Sequence, residues 1–196
     1  MRVIKIKSPT RDQRVPPGQR VTKKWPVLHY GGVPEIDVDR WRFTVKGLVE
    51  KDLSLTYSEF RALPRIRVLS DIHCVTGWSR LDNLWEGVSA RTIGDLAGVR
   101  GEARYAIVRS DGGYTTNLSL EDFFQEDVLF AFKHDGEELA PEHGYPLRLV
   151  VPRLYFWKSA KWVTGVEFRD SDIPGFWESR GYHNRGDPWK EERFGR

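Results

Sequence analysis

The stretch "WRFTVKGLV" (residues 41–49) puts Trp41, Phe43 and Val45 on one side of an extended chain and Arg42, Thr44 and Lys46 on the other. An alternation of period two buries its apolar set only as a strand with one face inward, so this chain must build a sheet. "RIRVLSDIH" (65–73), "RYAIVRS" (104–110), "PLRLVVP" (146–152) and "WVTGVEF" (162–168) read as further strands. "VLFAFKHDGEEL" (128–139) reads as a hairpin turning at Asp135-Gly136. Helices are expected to be short. Thr56-Tyr57-Ser58-Glu59 is a capping box that opens one, ended by Pro64, and Ser89 caps a second that runs through Leu96 to Gly98. The expected fold class is α+β, a mixed and β-rich fold with short helices.

The 196 residues are 39% hydrophobic and 13% aromatic, which is enough apolar surface to bury a core and excludes a disordered chain. One domain over residues 1–196 is expected. Its first 40 residues, with Pro9, Pro16, Pro17, Pro26 and Pro34, form an extended arm, and residues 170–196 form a tail that wraps the body. No run approaches 18 apolar residues, so no membrane insertion is expected. The opening "MRVIKIKSPTRDQRVPPGQR" has no apolar signal region and no twin-arginine pair, so the expected location is cytoplasmic.

Net charge is +3, and basic residues crowd the arm: Arg2, Lys5, Lys7, Arg11, Arg14, Arg20, Lys23 and Lys24. A solvated arm and a pocket for an anionic ligand both account for them. A nucleic-acid partner is not expected, because no recognition motif accompanies the charge.

One cysteine, Cys74, stands in "DIHCVTGWSR" (71–80), where a strand gives way to a loop built from Gly77, Trp78 and Ser79. A lone cysteine excludes an internal disulfide and fits a reducing compartment. Three readings stay open. Cys74 is a small buried hydrophobe, a nucleophile, or a metal-ligating thiolate. A nucleophile needs a base within hydrogen-bond reach. His73 faces the other way in extended chain, so His29, His134, His143 or His183 would have to come across in space. One thiolate is too few for zinc, but suffices where a cofactor brings the remaining donors. Gly77 is expected to relieve crowding in the loop. Trp78, Trp85, Trp157 and Trp162 are expected in the core or in the wall of a cofactor site.

The stretch "EHGYPLRLVVPRLYFWKSAKWV" (142–163) gathers His143, Arg148, Arg153, Lys158 and Lys161 around apolar strand segments. Its "KSAK" offers hydroxyl, ammonium and backbone N–H donors of the kind that hold phosphate, or else is an ordinary polar turn.

Taken in order, "HCVTGWSR", "HGYPLRLVVP" and "WKSAKWV" resemble the molybdopterin-binding domain of the sulfite oxidase family, in particular its compact bacterial oxidoreductases. "RVPPGQRVTKKWPVLHYGGVP", "WEGV", "SDGGYTTNL" and "GFWESRGYHNRGDPWKEERF" extend the likeness over nearly the whole chain. The resemblance implies a molybdenum atom held by a pyranopterin dithiolene, with Cys74 as its one protein thiolate. It implies that His143, Arg148, Lys158, Ser159 and Lys161 meet the pterin and its phosphate, that Asp111 lies near the pterin, and that His29 and Tyr30 shape the cofactor and metal pocket. The implied activity is two-electron oxygen-atom transfer on a small molecule, such as S-oxide or N-oxide reduction or oxidation of a small substrate. A metal-free enzyme using Cys74 and a non-catalytic anion-binding module are the alternatives.

The chain departs from the family at Leu28, where true sulfite oxidases carry a substrate-binding arginine, which tells against sulfite. The glycine-rich turn after the "HGYPLR" stretch is replaced by "RLYFW". Because the chain stops where relatives carry a dimerisation domain and no haem segment precedes it, a separate redox partner protein is expected to exchange its electrons.

Overall fold

The structure, a computed structural model, describes residues 2–5 and 14–195, so Lys7 and Arg11 of the basic arm lie outside the described residues. Two sheets form. In the larger, β1 (Arg2–Lys5) runs parallel to β5 (Arg65–Cys74), and β5 pairs antiparallel with β6 (Trp78–Ser89). Strand β6 continues to β9 (Leu129–His134), which also carries β10 (Glu137–Glu138) and β11 (Arg148–Val150), while β2 (Arg20–Val21) adds to β6 in parallel. The smaller sheet has the order β4 (Leu53–Thr56), β3 (Arg42–Gly47), β12 (Val163–Arg169), β7 (Tyr105–Ser110) and β8 (Thr115–Ser119). Helices α1 (Tyr57–Ala62), α2 (Ala90–Ala97) and α3 (Leu120–Phe123) are all short. This is the mixed, β-rich α+β class that the sequence implies. No described helix is long and apolar enough to cross a membrane.

The inward residues of β3 explain the join between the sheets. Phe43 and Val45 are fully buried, and the Phe43 ring lies 4.9 Å from Phe60 of α1 and 5.0 Å from Phe130 of β9. Strand β9 is buried on both sides. Phe130 and Phe132 enter this core, whereas Leu129 and Ala131 face a second cluster with Ile72, Trp85 and Val150. A strand covered on both faces has no reason to alternate, which is why "VLFAF" is a continuous apolar run.

The local signals act as expected. Thr56 Oγ1 accepts from the Glu59 N–H at 3.2 Å while Glu59 Oε2 accepts from the Thr56 N–H at 2.8 Å. Ser89 Oγ accepts from the Thr92 N–H at 3.0 Å, and Gly98 closes α2 at φ +66°. Asp135 and Gly136 take φ 49° and 92°, as the tight hairpin demands. Strands β4, β6 and β8 form where no strand was expected. In β6, Arg80, Asp82 and Asn83 break the alternation, and a register shift between Ser70 and Ile72 on β5 accommodates the irregularity. Its neighbours supply the pairing that its own pattern does not announce. The arm is also less irregular than expected. It contributes β1 and β2, and Arg14 binds Asp71 through two hydrogen bonds, at 2.9 and 2.6 Å, rather than standing in solvent.

One buried ion pair fastens the tail to the body. Lys158 is fully buried, and its ammonium donates to the Asn117 carbonyl at 2.8 Å and to Asn117 Oδ1 at 3.0 Å, and meets Glu178 Oε1 at 2.6 Å. The Trp157 indole N–H donates to the same carboxylate oxygen at 2.9 Å. Removing one member of such a pair leaves a buried charge with no partner. Lys158→Met is therefore expected to cost about 3–5 kcal/mol in urea unfolding, and Lys158→Met with Glu178→Gln to recover much of that loss.

Candidate active site

Cys74 ends β5 and pairs with Trp78 across a three-residue turn, Val75-Thr76-Gly77. Gly77 takes φ +91°, and a Cβ there would meet only ordinary contact, 3.6 Å from the Gly18 carbonyl. The turn therefore needs glycine for its left-handed backbone, not to relieve crowding. Two outside groups hold the tip: the Gln19 side-chain amide donates to the Cys74 carbonyl at 3.1 Å, and Arg193 donates to the Val75 carbonyl. The thiol is 8% exposed and shares a hydrogen bond with Thr76 Oγ1 at 3.1 Å. Burial pushes the free thiol up from its ordinary value, while Thr76 and the Arg193 charge pull the other way.

His73 is not the base for this thiol. Its ring is buried on the opposite face, with Nδ1 2.8 Å from Ser79 Oγ, and burial lowers its pKa to about 4. Among the described residues, no histidine is hydrogen-bonded to Cys74.

A cavity of about 530 Å³ opens at Cys74. It brings together seven of the residues singled out in the sequence: Cys74, His29, Tyr30, Asp111, Arg148, Ser159 and Lys161. His29 and Tyr30 stand at its exposed side. His29 Nδ1 is 3.0 Å from the Gly31 carbonyl, and the Tyr30 ring lies 4.8 Å from Phe176. Leu28 is also in the lining, half exposed. Trp78, Trp157 and Trp162 form wall, and Trp85 is fully buried beneath it.

Arg148 and Lys161 give the cavity its charge. The Arg148 guanidinium is fully buried and donates to the backbone carbonyls of His143 at 2.8 Å and Ser159 at 2.9 Å. Among the described residues its Nε has no hydrogen-bond partner, and neither has the indole N–H of Trp78. Lys161 Nζ donates to the Glu142 carbonyl at 2.6 Å. Among the described residues neither cation forms an ion pair. Burial pulls Arg148 down to about 9, and burial with the Arg148 charge pulls Lys161 down to about 7. Two desolvated cations with spare donors and, among the described residues, no ion-paired carboxylate make a wall suited to an anion.

The other two predicted residues lie elsewhere. His143 does not line the cavity. Its ring stacks on Trp25, with centroids 3.8 Å apart and planes 9° apart, and burial followed by the Arg148 charge lowers its pKa to about 4. Lys158 turns away into the pair with Glu178, so its ammonium is spent inside the fold. The backbone sets this division. Residues 156–158 form a tight turn, and Trp162 takes the left-handed φ of 54°, rare for a bulky residue, with its carbonyl accepting from the Asp111 N–H at 2.8 Å. Strained backbone of this kind collects where a structure clamps a ligand.

Among the lining residues not singled out in the sequence are Trp25 and Tyr182. Trp25 stacks on His143, and its ring centroid lies 4.3 Å from that of His134. Tyr182 lines the cavity, and burial and then the neighbouring Cys74 raise its phenol pKa. Neither announces itself, because a tryptophan before a proline and a tyrosine in an aperiodic tail have no local pattern.

The family described as "Oxidoreductase molybdopterin binding domain" matches residues 30–177. The uncharacterized oxidoreductase YuiH of Bacillus subtilis is 52% identical over 191 residues, covering 97% of this chain and 96% of that protein. A putative protein-methionine-sulfoxide reductase subunit of Azospira oryzae is 28% identical, covering 85% of this chain and 64% of its own. Among solved structures, the sulfane dehydrogenase SoxCD of Paracoccus pantotrophus superposes with a TM-score of 0.68 at 26% identity, covering 74% of this chain and 42% of that one.

Lys161 gives this site a measurable signature. Its folded pKa of about 7 lies below the ordinary lysine value of 10.5. Between those values the unfolded chain binds more protons than the folded one, so the contribution of Lys161 to stability rises with pH across that window. In the ligand-free protein, unfolding free energy measured from pH 7 to 9.5 is expected to climb more steeply for wild type than for Lys161→Met. An anion in the cavity would lift the Lys161 pKa and flatten the difference.

Proposed function

The chain belongs to the oxidoreductase molybdopterin-binding domain family, as a molybdenum-dependent oxidoreductase of the sulfite oxidase type, and on that premise we propose that it reduces a small neutral S-oxide or N-oxide. One observation carries the reading: the buried thiol of Cys74 opens on a cavity whose two cations form no ion pair among the described residues. The residues present fit a phosphorylated pterin. Arg148 Nε and the Trp78 indole N–H are buried donors with no hydrogen-bond partner among the described residues, and the cationic wall is stabilised by a phosphate. Arg148, Lys161 and Ser159 would hold that phosphate, with Asp111 beside the pterin, and Cys74 would give the thiolate. When bound, the molybdenum cofactor supplies two-electron chemistry and a place for the transferred oxygen.

The remaining roles belong to the chain itself. Tyr182 keeps its proton because burial and the neighbouring thiol both disfavour the phenolate, so it can donate at its hydroxyl to an oxygen leaving the substrate. At the entrance Tyr30 packs tilted on Phe176 at 4.8 Å and edge to face on Trp177 at 6.4 Å, and the three rings keep bulk water off the site. Reduction of an S-oxide to a thioether consumes two electrons and two protons and releases water. The cationic lining groups Arg148 and Lys161 are anchored on backbone carbonyls for the cofactor, and Leu28 offers no charge to an oxyanion. That favours neutral oxides over sulfite. It also agrees with the name of the Azospira relative, which concerns methionine sulfoxide. A metal-free cysteine enzyme is not favoured, since Thr76 and not a histidine is bonded to the thiol. We read the chain as a single catalytic domain.

Protein from molybdate-supplied cells is expected to carry molybdenum, to release a fluorescent pterin on denaturation, and to reduce methyl phenyl sulfoxide with reduced methyl viologen while leaving sulfite untouched. Protein without molybdenum, or sulfite oxidation faster than sulfoxide reduction, would overturn this. Cys74→Ser is expected to lose the sulfur-to-metal charge-transfer absorption and keep part of the pterin, because the phosphate contacts lie on other residues.

A further inference from the structure

Thr76 stands in the middle of the turn that presents Cys74, and both residues line the cavity. The Thr76 hydroxyl lies 3.1 Å from the Cys74 sulfur. In the free thiol either atom can donate. A sulfur that ligates a metal is a thiolate and has no proton to give. The hydroxyl is then the donor, and the bond becomes a charge-assisted one.

The turn is built to hold this contact. The Gly77 N–H donates back to the Cys74 carbonyl at 3.0 Å, and Gly77 takes the left-handed φ of +91° that lets the chain close. Gln19 from the arm and Arg193 from the tail bind the Cys74 and Val75 carbonyls. With the backbone fixed on both sides, residues 74 and 76 keep their side chains together. The branched Thr76 side chain has little freedom at χ1 to swing away. Its own N–H also favours the charged sulfur. The neighbouring polar groups are engaged elsewhere: the His73 ring bonds Ser79, and Arg193 donates to the Val75 carbonyl. Among the described residues, the side chain hydrogen-bonded to the Cys74 sulfur is that of Thr76.

A hydrogen bond to a ligating sulfur orients it and draws charge away from it. Weaker donation from the sulfur stabilises the oxidised metal less than the reduced one, so the bond raises the reduction potential. We propose that Thr76 is a positioning residue for the metal: its hydroxyl donates to the Cys74 thiolate, fixes the direction of the sulfur and sets the potential at which the cofactor takes up electrons. The proposal rests on the reading of Cys74 as the one protein thiolate.

Thr76→Val removes the hydroxyl but keeps the branched shape and the backbone N–H, whereas Thr76→Ser keeps the hydroxyl. Both variants and wild type are purified from molybdate-supplied cells. Molybdenum content, the sulfur-to-metal charge-transfer absorption, and the midpoint of a redox titration followed by that absorption are measured. In Thr76→Val the absorption is expected to move to longer wavelength, because the bond no longer lowers the energy of the sulfur electrons. At the wild-type midpoint the ratio of reduced to oxidised metal is expected to fall about tenfold, a drop of roughly 30 mV for a two-electron couple. Thr76→Ser is expected to keep the wild-type absorption and midpoint. A wild-type absorption and midpoint in Thr76→Val would overturn the proposal, as would a change in Thr76→Ser as large as that in Thr76→Val. Loss of metal from Thr76→Val alone supports it in the same way as the shift, and loss from both variants counts against it. Wild-type protein without molybdenum, or Cys74→Ser with the wild-type absorption, would overturn the ligand assignment instead.

Discussion

A lysine ammonium that loses all contact with water must find its acceptors inside the protein, and Lys158 does so by drawing separate stretches of chain together. It takes the carbonyl and side-chain oxygens of Asn117 from β8 and a carboxylate oxygen of Glu178 from the tail. Glu178 in turn accepts from Trp157, and the Trp157 carbonyl accepts from the Tyr114 hydroxyl at 2.7 Å. Trp157 and Tyr114 are both cavity wall. The pair is costly to bury and costlier to break, so the position of the wall, the tail and the five-stranded sheet become one decision. Even the small detail follows: Gly186 lies so close beneath the Trp157 ring that a Cβ there would stand 2.6 Å from it.

Fixing Lys158 inward leaves Lys161 and Arg148 as the positive charges of the cavity, and they are left in an unusual state. Each is desolvated and bonded to backbone carbonyls, which orient a cation without neutralising it. A protein keeps such a wall where a ligand brings the missing negative charge. Cys74 supplies the complementary group, a single sulfur held at a hairpin tip by Gln19 and Arg193. The arm and the tail, which look like appendages in the sequence, are thus the elements that brace the thiol.

Much of the fold was legible because its signals are local. The alternation of Trp41, Phe43 and Val45, the capping residues Thr56, Glu59 and Ser89, and the Asp135-Gly136 turn each specify backbone within a few residues of themselves. Strand β6 was not legible, since Asp82 sits at φ 60° and the strand is held by its neighbours on both sides. The site divides in the same way. The lone cysteine and the ordered "HGYPLR" and "KSAKW" segments point to their chemistry from the sequence, whereas Trp25 and Tyr182 reach the cavity from the arm and the tail by long-range packing.

The sequence by itself determined the strand-rich class, the capped short helices, the solitary thiol and the order of the motifs that mark the family, because period, capping and turn chemistry act over a few bonds. Only the tertiary structure decided which of two lysines, three residues apart, faces the cavity. That choice depends on a tight turn at residues 156–158, a left-handed backbone at Trp162, and a carboxylate twenty residues further along the chain, and no pattern within "KSAKW" contains any of them.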